Sequence, residues 1–400
     1  MSLPLAGLKV LDLSRALAGP FCTMILGDLG ADIVKVEPSP DGEMIRSWGP
    51  FDQGISTYFL SVNRNKRSLA IDFRNPRGLA LLREMAATAD ILVENFKPGT
   101  MEEMGLSFST LRETNPSLVY ANVTGFGRDG PYGDRPGVDQ IALGMSGLMS
   151  VTGTAESGPM RMGVPIGDML AGMWTALGIQ AAIIQRQTTK QGQRVETSLL
   201  ASLVGMLCLQ GQRYLSLGQI PEAVGNEHPS ICPYGMFHAK DGPFNMAAAT
   251  DVMWRRLCEL LDLADLADHP DFRDNTARMR NKIEVHKRLN EKFAARPRLE
   301  WTDELAKLGL PAGPIYNIAE VFADPQVKHL RLEETVDHPI LGALRQLANP
   351  IRLESLEGKS VRQAPPILGE HSEAALRDYG LTEDVIAELR RSGVIIQEKR

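Results

Sequence analysis

Short apolar runs alternate with amphipathic stretches through the first half of the chain. Lys9–Leu13 reads as a buried strand, Ser14–Gly19 as a loop, and Pro20 as the opening of a helix that runs through Met24–Asp28. Gly30 ends that helix and Asp32–Val36 follows as a second strand. A strand, a helix and a strand in this order place the two strands parallel. Ser68–Asp72, Ile91–Glu94 and Leu118–Val123 repeat the strand pattern, with a helical period over Asn75–Ala89 between two of them. The alternation predicts an open, doubly wound α/β domain.

The longest apolar run, Met169–Ile184, stands behind Arg161-Met-Gly-Val-Pro-Ile-Gly-Asp168. Gly163 and Pro165 exclude a regular helix before it, which predicts a loop, then Asp168, then a helix. A membrane span needs about 20 predominantly apolar residues. Asp168, Gln180 and the breakers Pro165 and Gly167 point instead to a core helix. Arg194–Glu196 is a strand candidate and Thr197–Gln212 an apolar helix. Pro221, Gly225, Asn226, His228 and Pro229 crowd the stretch Gly218–Pro229, as a domain linker does. Beyond it, strands at Tyr234–Ala239 and Pro243–Ala248 precede helices at Val252–Leu263, Arg278–Ala295 and Trp301–Leu308. The expected division is a large α/β domain over 1–220 and a small α+β domain over 225–327. Periodicity gives helices at Ser372–Tyr379 and Thr382–Ser392 in the tail, but not where the tail packs.

Composition narrows the function. A chain of 400 residues with 43% hydrophobic content builds a large core, and a net charge of −6 offers no basic field for nucleic acid. Cys22, Cys208, Cys232 and Cys258 show neither metal-ligand spacing nor a disulfide framework, which fits a reducing cytoplasm. The first residues lack the basic start and apolar core of a signal peptide. All seven histidines lie at or beyond His228. No metal motif, Walker loop or Gly-x-Ser-x-Gly elbow occurs, so no metal is expected. Gly125-Phe-Gly-Arg-Asp-Gly130 imitates a dinucleotide fingerprint, but Pro131–Pro136 cannot form the helix that the fingerprint requires. Asn63–Arg67 is a short basic run, either a solvated loop or a place for phosphates. Carboxylates remain as the candidate reactive groups, with Asp168 and Asp139 best placed. On spacing alone Asp168 reads first as a helix N-cap, because capping acids are common there, with a nucleophile as the alternative, since a helix N-terminus favours the anionic form that both need.

Several strings fall together in order. They include Leu5-Ala-Gly-Leu-Lys-Val-Leu-Asp-Leu-Ser14 with Ala18-Gly-Pro20, Gly30-Ala-Asp-Ile-Val-Lys-Val-Glu37, and Asn65-Lys-Arg-Ser68. Asp90-Ile-Leu-Val-Glu-Asn-Phe-Lys-Pro-Gly99, Gly127-x-x-Gly-Pro-Tyr132, and Asp139 with Ser146-Gly147 continue the series. Gly163-x-Pro-x-Gly-Asp168, Pro311-Ala-Gly-Pro314 and Gly369-Glu-His371 complete it. With these strings the sequence resembles the class III CoA-transferases, whose relatives include the 2-methylacyl-CoA racemases.

The resemblance implies a Rossmann-like large domain formed by both chain ends (330–400 returning to it), an inserted small domain, and an interlocked homodimer. It implies transfer of CoA from an acyl-CoA donor to a carboxylic acid acceptor through an aspartyl anhydride and an aspartyl-CoA thioester. Asp168 would be the nucleophile. CoA contacts would fall on Leu17, Ala18, Ile71, Arg74, Asn95, Phe96, Lys97, Gly137, Val138 and Asp139. The CoA thioester is then a substrate, with no permanently bound cofactor and neither nucleic acid nor membrane as partner. Three departures stand out. Val138 replaces the histidine of the racemases, and Leu17 replaces a glutamine of the oxalate-linked transferases. Glu103 stands where relatives often carry a basic residue near CoA. A racemase of the same fold and a CoA-binding protein without catalysis are the alternatives.

Overall fold

The computed structural model describes residues 3–354 and 358–398. Its centre is a mixed seven-stranded sheet: β1 (Lys9–Asp12), β2 (Asp32–Pro38), β3 (Lys66–Ile71), β4 (Ile91–Glu94), β5 (Val119–Thr124), β6 (Arg194–Ser198) and β7 (Ile395–Ile396). The spatial order is β6-β5-β4-β1-β2-β3-β7. The first six strands are parallel. Because the chain steps one way from β1 to β3 and then places β4 on the other side of β1, the order reverses between β1 and β4. The helices that matter below are α1 (Ala18–Asp28), α2 (Asp139–Met145), α3 (Ile166–Thr189) and α4 (Leu199–Gly205).

Alternate residues of each strand feed two cores. Leu11, Val34, Leu92 and Tyr120 pack on one face, beneath Leu81 and Leu82 and the tail residues Leu376, Ile386 and Leu389. Their neighbours Val10, Ile33, Ile91 and Val119 pack on the other, against Leu26 of α1 and Ala176, Ile179 and Ala182 of α3. Burial on both faces is why these parallel strands read as continuous apolar runs. The tail does return to this body. β7 pairs antiparallel with β3, Ile395 opposite Ile71, and the helices Ser372–Asp378 and Glu383–Arg391 lie in the same core.

Two compact units result: residues 1–149, 161–220 and 328–400, and residues 150–160 with 221–327. Sequence reading placed 150–160 in the large domain. They form a small hairpin, Gly153–Thr154 with Gly158–Pro159, and the Gly225 N–H donates to the Gly153 carbonyl at 2.8 Å. The second unit is built on a three-stranded antiparallel sheet and an aromatic core of Phe237, Phe244, Trp254, Phe293 and Trp301.

Three helices differ from the periodic reading. The expected Thr197–Gln212 helix is α4 followed by Cys208–Leu217, broken where Cys208 takes a φ of +45°. Arg278–Ala295 splits into Asn275–Arg280 and Lys282–Phe293, because Asn281 folds its amide back onto the Ala277 carbonyl. α3 begins at Ile166, so Asp168 is its third residue and not its cap.

Candidate active site

The carboxyl ends of β1, β4 and β5 open into a cavity of about 450 Å³. Ligands of open α/β sheets bind beyond the carboxyl ends of the strands, where the strand order reverses. Two loops at that reversal are tied together. Arg15 N–H donates to Asn95 Oδ1 at 2.8 Å, and Asn95 Nδ2 donates to the Arg15 carbonyl at 2.7 Å. The Arg15 guanidinium also stacks on the Phe96 ring, 4.5 Å from its centroid. Ala16 is held at a φ of +60°, its N–H donating to Glu43, and Glu43 in turn pairs with the buried Lys35 at 2.5 Å. Glu94 receives the Phe96 N–H at 2.8 Å, and burial pushes its carboxyl up to about 7. Leu17, Ala18, Asn95, Phe96 and Lys97 thereby reach one wall of the cavity.

Gly125 and Gly137 form another part of the wall. A Cβ on Gly125 would lie 2.5 Å from the Cα of Gly137, so the two backbones meet only as glycines. That close approach, and not a pyrophosphate turn, accounts for the first glycine of the Gly125–Gly130 string. Gly137 leads to Val138 and Asp139 at the start of α2, and all three line the cavity.

Asp168 stands in the first turn of α3, half-buried and facing the same space. Dipole and burial pull its charge in opposite directions. Burial prevails. Together with the like charge of Asp139, it pushes the Asp168 carboxyl up to about 7. Asp139 Oδ1 accepts the N–H groups of Gly167 at 2.7 Å and Asp168 at 3.3 Å. The capping role that sequence allowed for Asp168 therefore belongs to Asp139. Burial and the charges of Asp168 and Asp139 raise the Tyr58 phenol against the pull of Arg161, which leaves Tyr58 protonated and able to donate.

The cavity thus gathers nine of the eleven residues expected from sequence: Asp168 and every named contact except Ile71 and Arg74. Ile71 is fully buried in the core at the end of β3, and Arg74 is exposed and pairs with Asp72 at 3.1 Å. The Asn63–Arg67 run is neither a solvated loop nor an open phosphate site. Arg64 pairs with Asp28 at 2.6 Å, Lys66 with Asp12 at 3.0 Å and Arg67 with Asp32 at 2.6 Å. Tyr58 and Arg135 also line the cavity and carry no site signal in the sequence. An aromatic residue in the short helix Thr57–Val62 carries no signal that separates it from core. No histidine is among the described residues that line the cavity.

Residues 5–372 match the profile described as CoA-transferase family III. The chain belongs to that family. A succinyl-CoA:glutarate CoA-transferase of Homo sapiens is 38% identical over 398 residues, covering 99% of this chain and 91% of the relative. A succinate–glutarate CoA-transferase of Agrobacterium fabrum is 37% identical over 95% of this chain and 96% of the relative. The crystal structure of a CAIB/BAIF family protein from Brucella suis superposes with a TM-score of 0.86 at 38% identity, covering 95% of this chain and all of that one. The protein is a class III CoA-transferase, and the cavity holding Asp168 is the candidate for its active site.

Proposed function

We propose that the transferase moves CoA from succinyl-CoA to a short dicarboxylic acid, with Asp168 as the nucleophile. The observation that carries this reading is an acid of raised basicity in a cavity at the strand reversal, on a chain similar to transferases named for succinyl-CoA and glutarate. Lys97, Arg135 and Arg161 bring positive charge to the same cavity, which favours anionic substrates. Arg46 is engaged by Glu37 at 2.6 Å and is not free for a substrate.

In the proposed chemistry the Asp168 carboxylate attacks the thioester carbonyl. The C–S bond breaks, giving a mixed anhydride and CoA thiolate. The thiolate attacks the Asp168 carbonyl carbon, the donor acid leaves as its carboxylate, and Asp168 holds CoA as a thioester. The acceptor carboxylate attacks that thioester, releasing thiolate and forming a second anhydride. Thiolate attack on the acceptor carbonyl frees the new acyl-CoA and restores Asp168. Acyl activation is conserved at each step, so neither ATP nor a resident cofactor is required. The phenolic O–H of Tyr58 is a donor of suitable chemistry for the oxygens that acquire charge.

The strand order β3-β2-β1-β4-β5-β6 agrees with a Rossmann-like sheet, and CoA is read as entering across the loops that Asn95 ties together. Trp174, Leu177 and Ile184 of α3 are exposed along with Val204 and Met206, which supports an interlocked homodimer that covers them. Val138 has no ionisable group with which to move a proton, which disfavours the racemase alternative.

The test is a screen of acids against succinyl-CoA, read by mass spectrometry. Glutaryl-CoA or a close dicarboxylyl-CoA is the expected product. Transfer only to monocarboxylates would overturn the dicarboxylate reading. Run in heavy water, the same incubation is expected to leave the α-carbons unlabelled, and rapid α-deuteration lost in Asp168→Ala would favour the racemase.

A further inference from the structure

Asp139 reaches α3 from a different element. Within α3 the cap position is Pro165, which offers no side-chain acceptor. Oδ1 of Asp139 supplies the missing acceptor to the second and third residues of the helix, and the third amide is that of Asp168 itself. Room for this oxygen exists because residue 167 is glycine, since a Cβ there would lie 2.8 Å from it. The Asp168 amide is thereby engaged by a carboxylate from another element, and the Asp168 side chain shares its surroundings with that second acid.

We propose that Asp139 is a positioning residue for the nucleophile: it fixes the Asp168 backbone from outside the helix and sets a negative charge beside the carboxylate that attacks. The proposal rests on the reading of Asp168 as nucleophile. It differs from the expectation that Asp139 touches CoA, because the atom named is already engaged by the α3 amides. Asp139 on α2 and Tyr58 on the helix Thr57–Val62 bear on Asp168, and Arg161, in the loop before α3, bears on Tyr58 in the same cavity. Lys97 and Arg135 are the further cations of the cavity. With Asp139 charged, burial and its repulsion hold Asp168 near 7, so the ionised nucleophile accumulates only toward neutral pH.

Asp139→Asn keeps an oxygen for the two amides and removes the charge. Its kcat/KM profile against pH is expected to have an acid limb ~0.5–1 pH unit below that of wild type, with the KM for succinyl-CoA within about twofold. Gly167→Ala keeps the charge but crowds the oxygen off the amides. It is expected to lower kcat at least about tenfold with little change in KM, and it serves if the Asn variant does not fold. An unmoved acid limb in Asp139→Asn, or a KM rise of about tenfold with kcat kept in either variant, would overturn the proposal in favour of a CoA contact. Asp168→Asn measured alongside separates the two readings. Activity retained there removes the nucleophile, whereas an inactive Asp168→Asn with an unmoved limb in Asp139→Asn removes only the positioning role.

Discussion

Asp12 and Asp168 belong to the same unit, both are withdrawn from water, and their surroundings drive them in opposite directions. Burial alone would raise Asp12. Lys66 at 3.0 Å and the nearby Lys35 outweigh it, helped by the hydroxyls of Ser14 and Thr23, and hold the carboxyl well below its usual range. Asp168 meets burial with no comparable compensation. Its charged neighbour of note is another acid, and its carboxyl rises to about 7. An acid surrounded by cations is spent on structure, whereas one left poorly compensated in a cavity keeps its reactivity. Both are conditions of the three-dimensional surroundings. In sequence Asp12 and Asp168 are each a single acid beside an apolar run.

Exchanging Asp168 for Asn should give the largest effect. The shape is kept and the nucleophile is lost, so transfer is expected to fall at least about a thousandfold while the protein still folds and binds CoA. Initial rates and CoA titration by calorimetry check this together. The corresponding change on the structural side, Asp12→Ala, leaves Lys66 buried without its acid. It is expected to cost about 3–5 kcal/mol in denaturant unfolding. If Asp12→Ala were as stable as wild type, the contrast between the two acids would collapse.

The pH dependence of stability sharpens the contrast at smaller amplitude. Asp12 is depressed in the fold, so its contribution is present at neutral pH and is lost as pH falls below the usual carboxylate range. Asp168 is raised, so the folded state loses stability as pH climbs from its ordinary value of 3.8 through about 7. Asp168→Asn lacks that loss. It is expected to exceed wild type by about 1–2 kcal/mol at pH 8 and to match it near pH 4, as read from unfolding midpoints.

Much of the sheet was legible because its strands are short apolar runs bounded by turn residues, and Ile91–Glu94 lies where periodicity places it. The two-residue strand β7 was not, since Ile395 and Ile396 have too few residues to show a period and are ordered by pairing with Ile71 and Ala70. At the site, Asp168 was legible through its setting between glycine and an apolar helix. Its exchange of roles with Asp139 was not. A cap supplied from 28 residues away leaves no local pattern, and the periodic signal of α3 begins only after its first turn. The Asn63–Arg67 run misled for a related reason. Its cations face Asp12, Asp28 and Asp32, which precede it by more than thirty residues. Tyr58 lay hidden among core aromatics for want of any partner close in sequence.

The central claim is that Asp168 bonds covalently to the acyl group and then to CoA. The direct measurement is a peptide map by mass spectrometry of the wild-type enzyme quenched with hydroxylamine during turnover of succinyl-CoA and acceptor. The expected result is the hydroxamate of Asp168 in the peptide that spans α3's first turn, dependent on acyl-CoA and lost when acyl-CoA is omitted. Turnover at full rate with Asp168 unmodified, or a hydroxamate on another carboxylate, would contradict it.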